Sequence, residues 1–117
     1  MNIEELRNFC LSLKGAAESM PFDNKTLVFS IKGKMFCGTD ITTFELVNVK
    51  CVPEKAIALR EQYDEVNPGY YMNKKHWNSI TTNGKITKEQ FEKWIKESYD
   101  LVIAGLPKKI QKELNEE

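Results

Sequence analysis

The sequence has one histidine, three cysteines with no CxxC pair, and no apolar run near the ~18 residues that cross a bilayer. Each shortage closes a class of protein. An odd set of thiols at Cys10, Cys37 and Cys51 makes neither a disulfide framework nor a zinc site. Cys10 and Cys37 sit among apolar neighbours, where free thiols are commonly buried. The opening MNIEELRNF lacks the basic start and apolar stretch of a signal peptide. His76 has no nucleophile near it in the sequence to activate. GxGxxG, the phosphate-binding loop and HExxH are all missing. The acid pairs Glu4/Glu5 and Asp64/Glu65 are adjacent, so on a helix they point apart rather than to one centre. The expectation is a reduced, cytoplasmic protein that is not an enzyme and uses no cofactor or metal.

Net charge is missing too. Seventeen basic and seventeen acidic residues cancel, which argues against indiscriminate binding to nucleic acid, since such domains are usually basic. The charge is nonetheless segregated. From Val66 to Lys88 there is no Asp or Glu, while Lys74, Lys75, Lys85 and Lys88 are all present. Two further stretches are free of acid: 24–39, with Lys25, Lys32 and Lys34, and 101–112, with Lys108, Lys109 and Lys112.

What the chain does have is concentrated in residues 67–78, Asn-Pro-Gly-Tyr-Tyr-Met-Asn-Lys-Lys-His-Trp-Asn. Pro68-Gly69 marks a turn at its front. Flat rings at Tyr70, Tyr71 and Trp77 beside the cations Lys74 and Lys75 offer stacking surfaces for bases and charges for phosphates. A second reading makes the same rings an aromatic hot spot for a protein or ligand. The bland reading puts Tyr70, Met72 and Trp77 in the core, with the lysines on a solvated face.

The periodicity predicts a helix over 3–13, capped by Asn2 with Glu5, its buried face formed by Ile3, Leu6, Phe9 and Leu13. Residues 16–24 read as a connection. A strand over 26–31, a turn at Lys32-Gly33-Lys34 and a partner strand over 35–38 make a hairpin. A third strand covers 44–50. Pro53 opens a helix over 53–63, with Ala56, Ile57 and Leu59 turned inward. Residues 78–82 are β-rich, and Asn83-Gly84 is a strong hairpin signal. Thr87 and Gln90 form a capping box that starts the longest helix, over 89–104, on Phe91, Trp94, Ile95, Ser98, Leu101 and Val102. Residues 108–117 add a further turn or two or fray. The order α-β-β-β-α-β-α predicts a single α+β domain over 1–117, an antiparallel sheet with helices packed on one face.

Two segments, PGYYMNKKHWNSI and SYDLVIAGLPKK, together with the opening CLSLKGAAESMPF and TLVFSIKGKMF, resemble the MmcQ/YjbR family of small bacterial proteins. The resemblance spans most of the chain in order. It implies a frataxin-like fold and a double-wing DNA-binding role, with the helix-free sheet face as the binding surface. Frataxin-like iron chemistry is not implied. The first helix offers only Glu4 and Glu5, offset by Arg7 and Lys14, where a hard cation needs several convergent carboxylates.

The candidate nucleic-acid-binding residues are therefore Lys32 and Lys34 at one hairpin tip, Lys85 by the second, and Lys108 and Lys109 after the long helix. The 67–78 stretch adds Tyr70, Tyr71, Asn73, Lys74, Lys75, His76 and Trp77. Lysines would contact phosphates, and Asn73, Asn78 or Tyr71 base edges. DNA or a protein surface is the expected partner, the protein a monomer.

Overall fold

The computed structural model describes residues 1–69 and 72–117; Tyr70 and Tyr71 lie outside the described residues. Helix α1 spans Ile3–Ser12. Its capping box forms as the sequence predicts: Glu5 N donates to Asn2 Oδ1 at 2.8 Å, and Asn2 N donates to Glu5 Oε1 at 2.9 Å. Strands β1 (Ala16–Ser19), β2 (Thr26–Ile31), β3 (Lys34–Asp40) and β4 (Leu46–Lys50) follow. Then come α2 (Pro53–Gln62), β5 (Val66–Pro68), β6 (Trp77–Thr81), α3 (Lys88–Ala104) and α4 (Lys108–Glu116).

The six strands form one antiparallel sheet in the order β1-β2-β3-β4-β6-β5. Both edge strands are short. β1 is polar, and β5 ends at Pro68, which has no N–H to leave unpaired; such edges resist pairing with another chain. β2 and β3 join through a two-residue turn in which Lys32 (φ 49°) and Gly33 (φ 79°) both hold left-handed backbone, the geometry that matches strand twist. The register slips between Phe29 and Ser30, leaving Phe36 as the extra residue of a bulge. Ser98 of α3 satisfies that irregularity. Its hydroxyl donates to Phe36 O at 2.6 Å and accepts from Lys50 N at 2.8 Å.

The helices cover one face of the sheet. α3 lies over β2, β3 and β4, with α1 against β1 and α2 against β5. Between them, Leu6, Phe29, Phe36, Val47, Ile80, Phe91, Trp94 and Ile95 form the core. Phe9 packs only half-buried against it.

Four sequence expectations need correction. Within 16–24 lies the edge strand β1, whose Ala-Ala-Glu-Ser has no apolar alternation to announce it. Ile57 is 54% exposed rather than inward. Helix α2 buries Ala56 and half-buries Leu59 and Arg60, and that spacing turns Ile57 to solvent. Asn83-Gly84 does not close a hairpin but lies in the connection from β6 to α3. A Cβ at Gly84 would stand 2.3 Å from Glu65 Cγ, so close packing explains that glycine. In α3, Tyr99 is buried and Leu101 only half-buried. The Tyr99 ring stands edge-on to Phe36 at 5.3 Å, and its hydroxyl donates to Lys14 O.

Candidate nucleic-acid interface

Strand pairing decides which connections share an end of the sheet. Ala16 pairs with Ile31, Ile31 with Lys34, Lys50 with Trp77, and Pro68 with Asn78. The α1–β1 connection, the β2–β3 tip, the β4–α2 connection and the β5–β6 connection therefore share one end. The α3–α4 connection joins them. Tyr99 reaches Lys14 from α3, and the end of α4 returns to the hairpin tip through Lys32 and Glu117, 3.3 Å apart. None of these five connections contains an acid. The connections at the other end and their borders hold Asp23, Asp40, Glu45, Asp64 and Glu65, against Lys25, Lys85 and Lys88.

Lys32, Lys34, Lys74, Lys75, Lys108 and Lys109 are thus brought to one end, and all six are exposed. Lys85 is not among them. It lies at the acidic end, where its backbone N–H donates to Glu65 Oε2 at 2.7 Å. Lys32 is partly neutralised by Glu117; the other five form no ion pair with a described residue. Lys108 and Lys109 occupy the first turn of α4, which starts at Pro107 with no side-chain cap and no acid in that turn. The positive end of the helix dipole adds to their charge.

The turn carrying Lys74 and Lys75 is held from beneath. Asn73 Oδ1 accepts from Lys75 N at 2.9 Å, and Asn73 O accepts from His76 N at 3.1 Å and Trp77 N at 3.0 Å. Cys51 N donates to His76 O at 2.7 Å. Arg60 reaches across from α2, donating to Asn78 Oδ1 at 2.7 Å, to Trp77 O at 3.1 Å and to Lys74 O. The glycine at the start of the connection is set by approach: a Cβ at Gly69 would stand 2.6 Å from Trp77 Cβ.

This geometry revises several candidate roles. Asn78 is 1% exposed and bonded to Arg60, so it cannot touch a base edge. Asn73 commits its side-chain oxygen to shaping the turn. His76 and Trp77 are half-buried supports more than open platforms. Tyr70 and Tyr71 lie outside the described residues. Arg60 is the residue that sequence reasoning missed, because nothing in α2's pattern announces a side chain aimed at the 73–77 turn.

The thiols are buried and unbridged. A hydrogen bond with Cys10, then burial, raises the Cys37 thiol well above its ordinary value; burial raises Cys51. Protonated buried thiols are poor nucleophiles. Among the described residues, no group of three His, Cys, Asp or Glu side chains could hold a metal, and no helix is long and apolar enough to cross a membrane.

These features define an α+β domain: one antiparallel sheet backed by helices, with lysine-bearing connections gathered at one end. The chain belongs to the YjbR family, whose model matches residues 11–101. It is 33% identical over 110 residues to the protein YbdF of Escherichia coli O157:H7, covering 93% of this chain and 90% of that one. To the protein YjbR of Escherichia coli K12 it is 29% identical over 113 residues, 96% of each chain. Both relatives are described as uncharacterised. Protein DR2400 of Deinococcus radiodurans, labelled a DUF419 domain, has a crystal structure that superposes with a TM-score of 0.92 at 36% identity, covering 97% of this chain and 88% of that one. A Pseudomonas syringae protein shares the fold at 21% identity, with a TM-score of 0.73 over 86% of this chain and 98% of the other.

Proposed function

We propose that the protein binds DNA through the lysine-bearing end of its sheet, contacting phosphates and reading little sequence. One observation carries this reading: five connections that meet at one end contain no acid, while Asp23, Asp40, Glu45, Asp64 and Glu65 border the opposite end. A neutral protein with its charge divided in this way can still attract a polyanion, because the field near the surface follows the local charges. Lys34, Lys74, Lys75, Lys108 and Lys109 take the phosphates, with Lys32 joining when it parts from Glu117. Tyr70 and Tyr71 keep the stacking role that the sequence suggests for them. No helix enters a groove in this reading; the hairpin tip and the connections make the contacts. The protein acts as a cytoplasmic monomer, with no cofactor and no chemistry of its own.

The test compares the two ends. With a short labelled duplex at low salt, the Lys74→Ala/Lys75→Ala and Lys108→Ala/Lys109→Ala pairs should each weaken binding on every sequence alike. Lys85→Ala should change nothing. No binding by the unaltered protein, or equal loss from Lys85→Ala, would overturn the reading.

A further inference from the structure

The helix-free face of the sheet carries a groove of about 540 Å³. That volume falls within the roughly 300–1,000 Å³ of small-molecule sites. Its walls come from the β1–β2 loop, the β3–β4 loop and Met72, and its floor from β3 and β4. The apolar part is Phe22, Met35, Leu46 and Met72. Phe22 is 72% exposed, a large apolar ring at the rim that core packing does not explain. The two methionines supply a soft, adaptable surface.

The rim has a definite charge. Among the described residues, Asp23, Asp40 and Glu45 border the groove, against Lys25 alone. Asp23 takes the N–H groups of Lys25 and Thr26 at 2.9 and 2.7 Å, which holds its carboxyl below the usual range and keeps it anionic. Asp40 Oδ1 takes the N–H groups of Thr42 and Thr43, fixing the β3–β4 loop. That loop also holds Phe44 at φ 47°, a costly conformation for a bulky residue. Thr82 Oγ1 donates to the Phe44 carbonyl, and the ring packs on the core. Glu45, the next residue, stands exposed on this fixed loop.

Gly38 supplies an independent observation. It sits within β3 in the groove, where glycine weakens a strand. Its φ is not positive, so the backbone does not demand it. A Cβ there would meet Met35 Sδ at 3.6 Å and Leu27 O at 3.7 Å, ordinary contacts, so packing does not demand it either. What the missing side chain leaves is space in the groove.

We infer that this groove binds a small organic cation with a flat apolar body: the ring or chain lies over Gly38 between Phe22 and the methionines, and the positive group faces the carboxylates. An exposed aromatic face beside carboxylates favours a cation twice, through its ring electrons and through charge. Phosphates are disfavoured by the same rim; the groove meets the proposed DNA surface only at Met72, in the β5–β6 connection, and either reading can fail alone.

Fluorescence titration of the purified full chain with thioflavin T, a flat aromatic cation, tests the inference. The anionic dye 8-anilinonaphthalene-1-sulfonate serves as the charge control. Thioflavin T should bind saturably at one site and the anion should not. Gly38→Leu should weaken thioflavin T at least about tenfold with the circular dichroism spectrum unchanged. Should Gly38→Leu fail to fold, Glu45→Lys on the exposed rim decides, because it should weaken the cation and admit the anion. No saturable binding of thioflavin T, equal binding of the two dyes by the unaltered protein, or thioflavin T binding untouched by Glu45→Lys would overturn it.

Discussion

Arg60 joins three oxygens that belong to different parts of the molecule: the Asn78 side chain in β6 and the backbone carbonyls of Lys74 and Trp77. A guanidinium suits this place because its planar fork aims several donors at once, where an ammonium is a single point. Arg60→Met keeps the apolar stem and removes the donors. We expect a loss of about 2–3 kcal/mol, the cost of stranding partly buried acceptors. Arg60→Lys should recover less than half of it. Urea denaturation measures both, and an Arg60→Met protein as stable as the original would contradict this assignment. At this scale the sequence was legible for apolar positions and for caps. Leu6, Phe29, Phe91, Trp94 and Ile95 are buried as their spacing implies. Partners of polar side chains were not legible. Asn78 and Arg60 each satisfy a backbone or amide group distant in sequence, and no local pattern encodes which one.

Helix α4 shows a local rule broken at the proposed interface. Lysines in the first turn of a helix oppose its dipole, and Lys108 and Lys109 lie there without an acid or a side-chain cap to offset them. Lys32, in left-handed backbone at the hairpin tip, is a second departure, since Asn or Gly is usual there. Sites where local preference is violated are where function is expected. Lys108→Glu/Lys109→Glu should therefore raise stability, by roughly 0.3–1 kcal/mol for each favourable charge, and weaken DNA binding. Thermal melting and duplex titration together check it; a melt that falls, or DNA affinity that rises, would contradict it. The capped elements α1 and α3 were legible, because a capping box and a helical apolar stripe reinforce each other. Strands β1 and β5 were not, for a physical reason. Edge strands of four and three residues derive their pairing from β2 and β6, not from their own composition. Asn83-Gly84 misled for a similar reason: the glycine leaves room for the Glu65 side chain packed against it and does not serve turn geometry.

Across the whole molecule, charge is arranged rather than balanced residue by residue. Hydrogen bonds and ion pairs in the folded state hold four carboxyls below their ordinary values. For Glu5 the main cause is the Asn2 backbone N–H, for Glu18 the Arg7 side chain, for Asp23 the Lys25 backbone N–H, and for Glu65 the Lys85 backbone N–H. A carboxyl with a depressed folded value stabilises above its unfolded value and loses that contribution as pH falls through the folded one. The ordinary values are 4.5 for glutamate and 3.8 for aspartate. The melting temperature should therefore decline as pH drops below about 5. Tyr99 acts at the alkaline end. Burial raises its hydroxyl above the ordinary 10.0, so its stabilisation is complete below that value and is lost as pH rises past it. A melting temperature that rises between about pH 5 and pH 3 would refute the acid arm.

The segregation of lysines to one end is the feature on which the functional account rests, and salt dependence reads it directly. Phosphate contacts release counterions, so affinity for duplex DNA should fall steeply as salt rises from roughly 50 to 200 mM. With roughly 4–5 contacts, log K against log salt should have a slope of about −4, and the Lys74→Ala/Lys75→Ala protein should show a slope shallower by about 1–2 units. An affinity indifferent to salt, or a slope unchanged in that variant, would contradict the account.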